Sequence, residues 1–180
     1  MKKTLVIHPQ DVSTDFLSVI YKNIPFCKVI TKGTEKEVIE EIEKHDRIIM
    51  MGHGTPYGLM SIGRFGNVGF IINQSTVPLL RRKECIFIWC NANMFVERFN
   101  LKGFYSGMFV SEVGESNYCG CPSSQYDVDF SNNTFSEILG ECIEGNELEV
   151  IYECVKKGYG KFRHTNDVVF YNHQRLYLKK

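Results

Sequence analysis

The feature that most constrains this chain is the spacing of its apolar residues. Short apolar runs alternate with longer stretches in which apolar residues recur every three or four positions. A short run fits a buried strand, and the wider spacing fits one face of a helix. Their regular alternation is the pattern of an α/β domain with a mainly parallel sheet. At 180 residues the chain suits one domain over residues 1–180 with a substantial core. The expected fold is a three-layer α/β/α sandwich around a mainly parallel central sheet.

The spacing predicts strands over 4–8, 26–31, 47–51, 85–89 and 104–110. Helices are expected over 14–22, 34–44, 76–82 and 92–99. Thr34 and Glu37 form a capping box, in which hydroxyl and carboxylate each satisfy a free backbone N–H. Between Gly54 and Ile72, glycines at 54, 58, 63, 66 and 69 interrupt short apolar runs, which predicts a β-hairpin excursion. Residues 111–130 are polar, Gly-rich and without periodicity, and are expected to form a long functional or mobile loop. Helices over 134–143 and from Asn146 to the Lys156-Lys157-Gly158 stop should follow. The segments 168–171 and 175–178 are expected to close the sheet as strands. The chain has no internal repeat, low-complexity tract or linker.

Composition narrows the function classes. Apolar residues make up 43% and charged residues 23%, ordinary values for a folded soluble chain. With 21 basic and 21 acidic residues the formal charge is zero, and no basic stripe points to nucleic acid. No apolar stretch approaches the ~20 residues needed to cross a bilayer. The opening Met1-Lys2-Lys3 run has too short an apolar segment for a secretory leader and reads as the first strand. Seven cysteines at irregular spacing fit reduced thiols in the cytoplasm better than a disulfide framework. Cys119-Gly120-Cys121 has one intervening residue where zinc sites want two to four, so no metal is expected. No phosphate-binding glycine loop is present, and no cofactor is expected.

Two strand ends carry the chemistry. The run 47–51 leads to Gly52-His53-Gly54, and the run 85–89 leads to Cys90. In open α/β sheets, ligands and reactive groups gather at the carboxyl ends of strands. A thiol and an imidazole delivered there form a nucleophile–base pair. Gly54 would let backbone approach a substrate, and the N–H groups of Gly54 and Cys90 are the natural oxyanion donors. Cys90 is expected to open the next helix, whose N-terminus would lower the thiol pKa.

His-Gly after one core strand, then Cys after the next, resembles the caspase-like superfamily of cysteine peptidases. The likeness covers nearly the whole chain and includes the hairpin after the His. The Cys motif, Trp89-Cys90-Asn91-Ala92, differs from the best-known versions, which leaves the subfamily open. The resemblance implies a cysteine endopeptidase acting on protein or peptide substrates. In it, Cys90 is the nucleophile, His53 the general base and acid, and Gly54 part of the oxyanion hole, with no third acid named. It also implies a regulated effector, with an activating partner or small ligand, in bacterial defence or cell death. In such enzymes the first specificity pocket lies beside the dyad. Its candidate walls here are Asp11 and Asp15 after the first strand, and Ser111 and Glu112 after the fifth. A carboxylate there would favour Lys or Arg at the cleavage position. Asp11 or Ser13 could equally cap the following helix. The rival expectations are an inactive caspase-like or flavodoxin-like module that binds a protein or nucleotide signal, and a Cys hydrolase or transferase for small acyl or amide substrates.

Overall fold

The computed structural model describes residues 2–22, 24–66 and 68–180. Met1, in the opening run, and Asn67, inside the expected hairpin excursion, lie outside the described residues. Six strands form the main sheet: β1 (Thr4–Ile7), β2 (Lys28–Ile30), β3 (Arg47–Met51), β7 (Glu84–Ile88), β8 (Gly103–Ser106) and β9 (Leu176–Lys179). Their order is β2-β1-β3-β7-β8-β9. The first five run parallel, and β9 returns antiparallel along β8. The missing numbers belong to a separate antiparallel sheet of β4 (Gly54–Thr55), β5 (Gly58–Met60) and β6 (Phe70–Ile72). This is the excursion expected from the glycines.

Helices cover both faces. They are α1 (Ser18–Lys22), α2 (Glu35–Lys44), α3 (Val77–Leu80), α4 (Ala92–Arg98), α5 (Val113–Tyr118), α6 (Gln125–Ile143), α7 (Leu148–Tyr159) and α8 (Asp167–His173). Successive strand residues point to opposite faces, so each strand feeds two cores. Leu5, Ile7, Ile48, Met50 and Phe87 pack with Val38 and Ile42 of α2 and Phe95 of α4. Val6, Ile49, Met51, Ile86 and Ile88 pack with Ile20 of α1, Phe135 and Leu139 of α6, and Val155 of α7. Each such side chain contributes about 1.5–3 kcal/mol of transfer free energy, before chain entropy is counted. The result is a three-layer α/β/α architecture. The Thr34–Glu37 capping box opens α2 as expected, at 2.8 and 3.2 Å. No helix among the described residues is long and apolar enough to cross a membrane.

Four expectations need correction. Residues 111–130 are not an open loop: they hold α5 and the first turns of α6. Ser124 and Asp127 cap α6, and its buried face carries Ser131, Asn132 and Ser136 among the apolar residues, which masks the helical period. Residues 168–171 are not a strand but lie in α8. Asn166 accepts a hydrogen bond from the Val169 N–H at 2.9 Å, and burial of Val168, Val169, Asn172 and His173 follows a helical face. The β-branched pair was outweighed by the cap and by Asn172, whose amide bonds both Val110 N and Val110 O. Cys90 does not open α4, which starts at Ala92 after Asn91 in the left-handed region at φ 64°. Finally, not all thiols are reduced: Cys142 of α6 and Cys154 of α7 form a disulfide with Cα atoms 6.0 Å apart. Cys142 is buried on α6, while Cys154 is exposed on α7, where the two helices pack together.

Candidate functional site

The strand order turns at β1, with β2 on one side and β3 on the other. Such a turn opens a crevice at the carboxyl ends of the strands, where α/β sheets bind ligands. Three chemically able residues arrive there from neighbouring strands. Asp11 follows β1, His53 follows β3 and Cys90 follows β7.

Asp11 performs two tasks. As N-cap of the 3-10 turn over Val12–Leu17, its Oδ1 accepts from Thr14 N at 3.0 Å and from Ser13 Oγ at 3.0 Å. Its Oδ2 lies 2.9 Å from His53 Nε2, and Ser13 Oγ lies 2.8 Å from that nitrogen. Burial opposes ionisation of Asp11, but hydrogen bonds from Ser13 and Thr14 and the neighbouring His53 hold its carboxyl below the ordinary value. With the Nε2 proton donated to Asp11, the lone pair of His53 sits on Nδ1; the tautomer follows from this network. Behind it, fully buried His8 lies 3.3 Å from Thr14 Oγ1 through Nε2 and 3.3 Å from Tyr21 Oη through Nδ1. Burial lowers the His8 pKa to about 4, so it is neutral at pH 7.

His53 and Cys90 line one cavity of about 20 Å³, together with Ser111, Phe109 and Trp89. The thiol of Cys90 donates to Phe109 O at 3.4 Å, and Sγ lies 4.0 Å from Glu115 Oε1. Burial, then the Glu115 carboxylate, pushes its pKa up to about 12. A helix-lowered thiol pKa is therefore not what the fold provides. The thiol sits before the left-handed Asn91 rather than on the first turn of α4, and a carboxylate faces it.

Gly54 follows His53 at the start of β4 and pairs with Leu59. Its identity has a packing cause: a Cβ there would stand 2.1 Å from Trp89 Cδ1. The positive-φ glycine of this turn is Gly52, at 137°. Trp89 Nε1 donates to Thr55 O at 3.2 Å, so the indole fastens the small sheet against the end of β7.

The candidate specificity residues fall in two hollows. Ser111 and Glu112 line one of about 450 Å³ with Ser13, Phe16, Asp129 and Asn132. Asp11 and Asp15 line another of about 290 Å³, where Lys32 and Arg64 balance their charge. Ser111 and Phe16 border both the first hollow and the Cys90 cavity. Asp129 and Glu115 lie in the stretch whose lack of periodicity predicts a loop, so the sequence alone does not mark them as site residues. A carboxylate three residues after Glu112, at Glu115, was the available capping signal. No group of three or more His, Cys, Asp or Glu among the described residues could hold a metal ion. Comparison of the chain with protein-family models, with curated proteins and with solved structures found no match.

Proposed function

We propose that this chain is a caspase-like cysteine endopeptidase with Cys90 as nucleophile and His53 as proton carrier. The observation that carries the reading is the convergence of Asp11, His53 and Cys90 from adjacent parallel strand ends, with His53 held on Asp11 and facing the Cys90 cavity. The order of His before Cys and the three-strand excursion directly after the His also support it.

In this mechanism the Cys90 thiol passes its proton to His53 Nδ1, and the thiolate attacks the peptide carbonyl carbon. The imidazolium then protonates the leaving amine, and water releases the acyl group from sulfur by the same route in reverse. Asp11 holds the ring and stabilises its charged form, a role the resemblance did not assign to any residue. The N–H groups of Gly54 and Cys90 are the proposed oxyanion donors. The hollow beside the cavity carries Glu112 and Asp129. It favours a Lys or Arg side chain next to the cleaved bond. A regulated role in bacterial defence rests on the resemblance only.

The test is cleavage of a complex peptide library, read by mass spectrometry, by wild type beside Cys90→Ala and His53→Ala. Cuts after Lys or Arg that vanish in both variants are the expected result. Cuts that persist in Cys90→Ala would overturn the assignment, and cuts after Asp would overturn the basic preference. The tight cavity and protonated Cys90 favour one second reading, a non-hydrolytic module that binds a protein or nucleotide at the same strand ends. Ligand binding that survives Cys90→Ala, with no cleavage by wild type, would establish it.

A further inference from the structure

One carboxylate beside Cys90 has no part in that mechanism. Glu115, on α5, uses one oxygen as an anchor. Its Oε2 accepts from Ser111 N at 2.7 Å, Ser111 Oγ at 3.0 Å and Glu112 N at 3.2 Å. Its other oxygen faces the Cys90 sulfur at 4.0 Å. The thiol has two acceptors within reach, Phe109 O at 3.4 Å and that carboxylate oxygen. The space shared by His53 and Cys90, about 20 Å³, is on the order of one water molecule.

We propose that Glu115 is the latch of a closed resting state that slows the enzyme without silencing it. Its carboxylate fastens the start of α5 beside Cys90, and substrate enters only in the fraction of molecules in which that carboxylate has let go. The inference rests on reading Cys90 as the nucleophile. The groups facing Cys90 are Glu115 and Glu112 from the 111–118 segment, the thiol of Cys119, and His53 across the cavity. Burial is the main force against a thiolate, and the Glu115 carboxylate, then the Cys119 thiol and the Glu112 carboxylate, oppose it further. When α5 swings away, water and the His53 ring replace them. The proton can then pass from Sγ to Nδ1, leaving a thiolate beside an imidazolium. Ser111 belongs both to the latch and to the hollow that would take the substrate side chain, which places binding and opening on one residue.

A purely structural Glu115 would cap α5 and leave the reactivity of Cys90 alone. The discriminating measurement is the rate of Cys90 alkylation by iodoacetamide across pH, read at that peptide by mass spectrometry. The samples are wild type, Glu115→Gln and Ser111→Ala. Wild-type Cys90 is expected to react slowly, with its midpoint far above that of an ordinary thiol. Glu115→Gln keeps the length and one acceptor but removes the charge. It should react at least about tenfold faster near pH 8, one pH unit of midpoint being a factor of ten. Ser111→Ala should move the same way by less. Equal rates and midpoints in all three would overturn the latch, as would a wild-type Cys90 that alkylates like an unfolded peptide. If buried Cys85 is labelled along with Cys90 in Glu115→Gln, that variant has unfolded and Ser111→Ala decides. Alkylation needs no peptide cleavage. Faster labelling without any cleavage would keep the latch and remove the peptidase reading, and the converse would do the opposite.

Discussion

His8 shows how one side chain can serve the site without touching it. It is fully buried, and its ring nitrogens reach Thr14 and Tyr21. Thr14 in turn donates to Asp11 at 3.1 Å, and Asp11 holds His53. Burial lowers the His8 pKa from 6.5 to about 4, so the folded chain binds fewer protons there than the unfolded chain does between those values. Stability therefore rises with pH across that window and is lost as pH falls from 6.5 toward 4. The effect is on the order of 3 kcal/mol, at about 1.4 kcal/mol per pH unit. Urea midpoints near pH 7 and near pH 5 should therefore differ more for wild type than for His8→Gln, which does not titrate. Equal differences would place the acid sensitivity elsewhere.

At the scale of elements, the readable parts were those where local and tertiary forces agree. Strands β1, β3 and β7 are continuous apolar runs because both of their faces are covered, and α2 announces itself with its capping box. The His53 and Cys90 strand ends follow from those elements and were legible for the same reason. Asp11 was legible as a cap and not as the partner of His53, because that pairing joins residues 42 positions apart. Val168-Val169-Phe170-Tyr171 has strand composition, yet Asn166 caps it and the Asn172 amide docks on Val110, so tertiary contact overrides propensity. The α6–α7 disulfide was hidden because irregular cysteine spacing says nothing about which helix faces meet. Its closing of a short loop should stabilise the chain by up to about 3 kcal/mol. Cys154→Ser is accordingly expected to lower the urea midpoint, and dithiothreitol should reproduce the drop in wild type but not in the variant. An unchanged midpoint in both would show that the cross-link adds no stability.

Across the whole molecule the two ends of the sheet divide the work. At the carboxyl ends lie Asp11, His53, Cys90 and the latch. At the amino ends Arg47, 4% exposed, borders a hollow of about 330 Å³. Its guanidinium donates to Ile143 O at 2.9 Å, to Asn146 O and to Glu84, which ties β3 and β7 to the α6–α7 turn. Each guanidinium nitrogen of Arg47 thus has a partner within the fold. Arg47→Met leaves Glu84 to its ion pair with Lys2 and strands two carbonyls, and should cost about 1–3 kcal/mol by urea denaturation. The alkylation rate of native Cys90 should stay at its wild-type value in that variant. A changed rate would mean that the two ends are coupled.

The indole that rests on Gly54 belongs to the chain's one tryptophan. Trp89 precedes Cys90, and its ring nitrogen is bound to Thr55 of the small sheet. It is 2% exposed, flanked by Phe87 and Phe95, and borders the cavity that Glu115 keeps closed. The molecule thus carries its own optical probe at the place where change is expected. A shift of emission toward longer wavelength would register the arrival of water at the strand ends, with no label attached and no substrate identified. The same signal would separate an opening of the site from events at the far end of the sheet, where no second indole exists to confuse it.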